Sequence, residues 1–313
     1  MKKIILMFAA VVMAAGVMSA QDINQATESY NNGAMELQMG NNEAAIENFQ
    51  AALTMGEALG DEGADLVANC KKAIASATLS MAKDLYNAKD FEGAAAAFVK
   101  AKEVAEGYGE TEIAEEAAEL VNQANALKFN TEGKAAMKAK DFPTAISCFT
   151  KVLELDPTNG ATAVQLGQAY MNAGQLDEAI TALETAMANG QEKNAAKILS
   201  NVYLKKAQAS NKAKNYQEVI DFAAKSNEAL ENGNAYKLTA SALQKLGKND
   251  ECIAAYEKYL EVTPNAKDAG GIICTIAVLY QQAGNKAKAK EYYQMIVTDP
   301  QYGATAKQML ETL

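Results

Sequence analysis

Seven times between residues 40 and 296 the chain returns to one string. Small turn residues come first, then an acid or aromatic, then Ala-Ile or Ala-Ala, then a bulky residue and a further small one. It reads GNNEAAIENFQAAL at 40–53, AKDFEGAAAAFVKA at 88–101, AKDFPTAISCFTKV at 139–152 and GQLDEAITALETA at 174–186. It returns as AKNYQEVIDFAAKS at 213–226, GKNDECIAAYEKYL at 247–260 and GNKAKAKEYYQMI at 284–296. Each string is a turn followed by the start of a helix. Before most of them lies another amphipathic stretch, such as TAVQLGQAYMNA at 162–173. Units of this size bury little alone and acquire a core only by stacking. Four prolines in 313 residues leave the helices free to run unbroken.

The units resemble the tetratricopeptide repeat family, whose 34-residue pattern sets bulky, Leu-Gly, Tyr, Ala, aromatic, Ala and Pro positions in order. Residues 126–159 carry Phe129, Gly133, Ala145, Phe149, Val152 and Pro157. Residues 160–193 carry Leu166-Gly167, Tyr170, Ala179, Leu183 and Ala186. Residues 233–266 carry Tyr236, Ala240, Cys252, Tyr256, Tyr259 and Pro264, and the last unit Ile273, Ala277, Tyr280, Ala289, Tyr293 and Ile296. A weaker unit near 200–232 has Tyr203, Ala207, Val219 and Ala223. Packing explains the slots. Gly133 and Gly167 are expected where two helices cross, with Ala145 and Ala179 opposite, so that the axes approach closely. Pro157, Pro264 and Pro300 are expected beyond helix ends, and Asp141 as a cap before Pro143.

The small slots Ala45, Ala94, Ala145, Ala179, Val219, Cys252 and Ala289 are separated by 49, 51, 34, 40, 33 and 37 residues. The two long steps predict extended first helices near 62–88 and 110–139, with a break near Asn122–Asn130 as the rival. The expected architecture is all-α: a right-handed α-solenoid of stacked antiparallel helix pairs, about seven units plus a capping helix near 302–313. Residues 21–313 read as one repeat domain, with longer, divergent units over 21–125 and near-standard units over 126–313.

Composition removes much chemistry. All 29 basic residues are lysine, and histidine and tryptophan are absent. No histidine-dependent triad or imidazole metal site can form, and no arginine fork can clamp a phosphate. A net charge of −10 argues against nucleic acid as partner. No G-x-S-x-G, phosphate loop or H-E-x-x-H occurs. The expectation is therefore no catalytic centre, no cofactor and no metal. A cell-wall glycan-acting enzyme using carboxylates is the alternative of another class. Glu110, Glu112, Glu115, Glu116 and Glu119 read as a solvated helix start. Tyr170, Tyr203, Tyr256 and Tyr293 read as packing. The spacing of Cys70, Cys148, Cys252 and Cys274 makes no C-x-x-C motif, and Cys252–Cys274 is the best-placed disulfide if one forms.

Lys2 and Lys3, the uncharged run Ile4–Val17 and the small pair Ser19-Ala20 have the layout of a secretory signal peptide over residues 1–20. The run is short for a membrane span, which takes about 20 residues. Cleavage after Ala20 removes two of the 29 lysines and no acid, leaving 27 against 39 acids, a net of −12. A periplasmic or secreted location follows, with no stable membrane insertion after cleavage.

In the family, first helices line a concave groove that takes peptides. The resemblance assigns that role to Asn130, Lys134 and Met137; Val164, Gln168 and Met171; Leu204, Gln208 and Asn211; and Lys237, Ser241 and Gln244. Amide side chains there pair with a peptide backbone. The Lys/Asn/Arg set by which one subset of the family clamps a C-terminal carboxylate is not matched. The implied function is a protein–protein interaction scaffold binding an extended peptide or protein segment. A cell-envelope assembly factor for outer-membrane or secretion machinery is the alternative, and self-association is open.

Overall fold

The computed structural model describes residues 20–313, which form fifteen α-helices and one 3₁₀ turn, with no strand among the described residues. Helix α1 (Ala20–Gln38) pairs with α2 (Asn42–Ala58), and after the turn Gly60–Gly63, α3 (Ala64–Asn87) pairs with α4 (Phe91–Tyr108). Then α5 (Thr111–Ala139) precedes α6 (Phe142–Leu155), and α7 (Gly160–Ala173) pairs with α8 (Leu176–Ala188). The remaining pairs are α9 (Glu192–Lys212) with α10 (Tyr216–Ala229), α11 (Gly233–Lys245) with α12 (Asn249–Val262), and α13 (Ala269–Gln282) with α14 (Lys286–Met295). Helix α15 (Gly303–Thr312) closes the chain. The signal-peptide segment lies outside the described residues except for Ala20, where α1 begins. The chain divides into two compact units, residues up to Lys128 and Phe129–Leu313.

The two long first helices are α3 and α5. The rival break near Asn122–Asn130 does not occur: α5 runs 29 residues without interruption.

Repeat length varies, but the distance across each turn does not. Each first helix offers one small buried residue at the crossing: Gly33, Ala82, Gly133, Gly167, Ala207, Ala240 and Ala277. Twelve residues after each stands Ala45, Ala94, Ala145, Ala179, Val219, Cys252 and Ala289 in turn, all fully buried. Seven residues after each crossing residue the backbone turns left-handed, at Gly40, Lys89, Lys140, Gly174, Lys214, Gly247 and Gly284, with φ between 60° and 83°. The next amide donates to the carbonyl five residues back each time, from Asn41 to Glu36, Asp90 to Leu85, Asp141 to Ala136 and Gln175 to Tyr170, at 2.9–3.0 Å. This is the Schellman closure, which satisfies helix-end carbonyls and reverses the chain. Asp90 and Asp141 then cap the second helices, accepting from the Gly93 and Thr144 amides, with Pro143 in the first turn of α6.

The residue over each glycine is not the expected alanine. A Cβ at Gly133 would meet the Phe149 ring at 2.6 Å, and one at Gly33 the Phe49 ring at 2.8 Å. At Gly167 the neighbour is Leu183, four residues beyond Ala179, which contributes only its carbonyl oxygen at 3.3 Å. The alanine lets the axes approach, and the bulky side chain one turn later fills the space that the glycine leaves. Phe49 and Phe149 are almost wholly buried this way, and Phe98 and Tyr293, sixteen residues after Ala82 and Ala277 in turn, are as deeply buried in the same cores as those alanines. Burial of each Phe contributes about 2–3 kcal/mol.

Candidate binding face

In residues 129–313 the first helices are the α5 segment 129–139, α7, α9, α11 and α13. Each turns its crossing residue toward its own second helix. At 100° per residue, the third residue before the crossing and the fourth after it flank that contact, while the first and fifth after it point well away. This geometry sorts the expected groove residues.

Five of the expected residues at flanking positions are half-buried, Lys237 and four others. Asn130 donates from Nδ2 to Thr162 Oγ1 (3.3 Å) and Gln165 Oε1 (3.4 Å), tying α5 to α7. Met137 packs on the core of Ala136, Ala145 and Phe149, and Val164 on that of α7–α9. Asn211 is the fourth. Lys134, Gln208 and Gln244 are exposed, and Ser241 is half-buried. Gln168 is half-buried and donates from Nε2 to Asn172 Oδ1 at 3.2 Å.

Two of the expected residues are corrected. Met171 and Leu204 are each only 9 % exposed. Met171 belongs to a core shared by α7, α8 and α9, and Leu204 to one shared by α9, α10 and α11. Their flanking positions face the gap between successive helix pairs, and large apolar side chains fill that gap instead of meeting a ligand.

Lys237 is committed as well. Its ammonium pairs with Asp268, which also accepts from the Tyr259 hydroxyl at 2.6 Å. The hydrogen bond from Lys237, reinforced by that from Tyr259, holds the Asp268 carboxyl below the usual carboxylate range. Asp268 in turn raises Lys237. The trio joins α11 and α12 to the segment entering α13 and fixes the edge of the face.

The strip most open to solvent escaped the sequence reading. Five residues after successive crossings stand Lys138, Asn172, Lys212, Lys245 and Gln282, all exposed. The constant turn offset carries the signal: counting two back from each left-handed residue finds the column. A pocket of about 330 Å³ opens at its C-terminal end. Gln244, Gln282, Thr275 and Tyr302 supply polar groups there, and Cys274, Val278 and Leu279 an apolar floor.

The four cysteines are free, with Cys70, Cys148 and Cys252 buried and Cys274 half-buried, so the Cys252–Cys274 bond is not formed. Cys252 sits in the core of α11–α13, whereas Cys274 packs with α14 and α15. No group of three Cys, Asp or Glu side chains suited to a metal ion is present among the described residues. No described helix is long and apolar enough to cross a membrane.

Tetratricopeptide repeats match residues 136–202, 235–266 and 275–301. A 69-residue stretch, 22 % of the chain, is 39 % identical to the Hsp70-Hsp90 organizing protein of Triticum aestivum and spans 12 % of that protein's length. Among solved structures, the MamA protein is 23 % identical, covering 58 % of this chain and 94 % of that one, with a TM-score of 0.39. YrrB, described as a TPR protein with an unusual peptide-binding site, is 19 % identical, covering 58 % of this chain and 92 % of that one, with a TM-score of 0.36. The tetratricopeptide repeats are thus found in these three stretches, all within residues 136–301.

Proposed function

We propose that this protein is a non-enzymatic scaffold that holds an extended segment of another protein along the first-helix face of residues 129–282, outside the cytoplasm. One observation carries the reading. Successive first helices present amides and hydroxyls at matched positions, with Gln168, Gln208 and Ser241 one residue after the crossing and Asn172 and Gln282 five after it. A backbone laid across them meets donors and acceptors at each unit, and the pocket under Gln244 and Gln282 receives an apolar side chain. Export rests on the Met1–Ala20 pattern. Assembly of envelope machinery is the same physical act in that location.

The test is a photo-crosslinker placed at Gln208 in cells, with a second at Thr181 of α8 as control; both residues are exposed. A partner captured at Gln208 and not at Thr181 supports the reading. Equal capture, or capture at Thr181 alone, overturns it. Amino-terminal sequencing of the partner-bound protein is expected to begin near Gln21, and an intact Met1 would refute export.

A further inference from the structure

The charges of residues 129–313 are sorted by helix. The α5 segment 129–139 with α7, α9, α11 and α13 holds nine lysines and two acids, Glu132 and Glu192. The partner helices α6, α8, α10, α12 and α14 hold twelve acids and six lysines. Within a chain of net charge −10, the first-helix set is thus positive by seven. Residues 20–128 carry no such division: α1 has three acids, Asp22, Glu28 and Glu36, and no lysine.

Pairing does not follow this division: among the described residues two of the nine first-helix lysines and two of the six second-helix lysines stand in ion pairs, while Lys151, Lys225, Lys286 and Lys290 on the second helices stand in none. On the acidic side, Lys248, Lys258 and Lys288 are each held by a glutamate three residues on. On the first helices, Lys206 and Lys237 are taken by Asp177 and Asp268. Among the described residues, Lys134, Lys138, Lys193, Lys197, Lys205, Lys212 and Lys245 have no ion-pair partner, and all are exposed. Helix-end dipoles favour a lysine at the last turn of α5, α9 and α11. They do not account for Lys134 and Lys205 farther in, nor for the absence of any acid from α7, α11 and α13.

We infer that the segment bound on this face is acidic, read along its length by Lys138, Lys205, Lys212 and Lys245 while the intervening amides hold its backbone. The inference rests on the reading of this face as a peptide site and adds the chemical class of the occupant. Recognition is by internal Asp and Glu side chains and needs no free C-terminal carboxylate. An unpaired ammonium row attracts such a segment over about 8 Å at physiological salt, and like charge on the second helices turns it away from the other face.

The test passes a random 15-residue peptide library, acetylated and amidated at its ends, over the immobilised full chain, and retained peptides are read by mass spectrometry. Peptides are expected to be retained with Asp and Glu enriched and Lys and Arg depleted, the bias fading at 0.5 M salt. The variant K138Q/K205Q/K212Q should cut retention of the acidic peptides about tenfold, the combined effect of three exposed charge contacts. The second-helix control K151Q/K225Q/K258Q should leave it unchanged. Thermal melts of both variants matching the parent show that the fold is intact. If retained peptides carry no charge bias and are lost with Q168A/Q208A/Q244A but not with the lysine variant, the face binds peptide and the acidic inference falls. If neither variant changes retention, or nothing is retained, both readings fall.

Discussion

Leu183 of α8 lies over Gly167 of α7 so closely that a Cβ on the glycine would meet Leu183 Cγ at 2.6 Å and Cδ2 at 2.8 Å. Helix propensity and packing therefore pull against each other at this position. Alanine is the better helix former by about 1 kcal/mol, yet the overpacked contact costs about 1–3 kcal/mol. Gly167→Ala is expected to lower the urea midpoint. Gly107→Ala, in α4 with nothing within 4 Å of the added carbon, is expected to raise it. Shifts of the same sign for both would refute the crossing geometry.

Three of the seven left-handed turn positions are lysines, Lys89, Lys140 and Lys214, where the other four are glycine. A non-glycine residue there carries about 1–2 kcal/mol of steric strain, partly offset because glycine gives the unfolded chain more freedom. Lys140→Gly and Lys214→Gly should each stabilise by roughly 0.5–1 kcal/mol, and Gly174→Ala should destabilise. Differential scanning calorimetry decides it, and unchanged or lower melting points for both lysine variants would count against the turn assignment.

The Lys237–Asp268 pair gives stability a pH signature. Asp268 is held below its ordinary value near 3.9, so its contribution is complete above that value and is lost as pH falls through the lower folded one. Lys237 is raised, so its contribution is complete below about 10.4 and is lost as pH rises through its folded value. Both side chains keep solvent, which limits the pair to about 1 kcal/mol or less. The melting-point gap between wild type and Asp268→Asn should be largest between about pH 5 and 9 and shrink toward pH 2. A gap that does not change with pH would show that the charge plays no part.

Thiol reactivity should separate one cysteine from three. Burial pushes Cys70 and Cys252 up to about 11, and raises Cys148 together with the nearby Glu132. Cys274 is also raised but reaches the surface in part. At pH 8 a chromogenic disulfide should titrate one thiol quickly in the native protein and four after unfolding. Two thiols missing after unfolding would mean that a disulfide forms.

The repeat was legible because local rules write it. A small crossing residue, a turn seven later and a second small residue twelve later are read at fixed offsets, and Asp141 and Pro143 announce the start of α6. The long first helices also follow from counting: most of the surplus of the first two steps goes into α3 and α5, and the rest into the longer second helices α2 and α4 and the turn Gly60–Gly63. The face was legible only in outline. Asn130, Gln168 and Gln208 lie on first helices and reach the surface in part or in full, but Met171 and Leu204 were assigned by helical position and prove to be core.

The sequence by itself determined the helix pairs, their turns and their number, because each is set by contacts within about twenty residues. Only the tertiary structure decided which side of each first helix remains open. That depends on how successive pairs stack, and the stacking buries Met171 and Leu204 through neighbours contributed by α9 and α11. It also decided which lysines are free. Lys206 finds Asp177 from a preceding pair and Lys237 finds Asp268 beyond α12, while Lys138, Lys205, Lys212 and Lys245 form no ion pair among the described residues. Ion pairing acts over a few ångströms between groups distant in sequence, so the composition of a helix fixes its charge and the packing of its neighbours fixes how much of that charge is left for a partner.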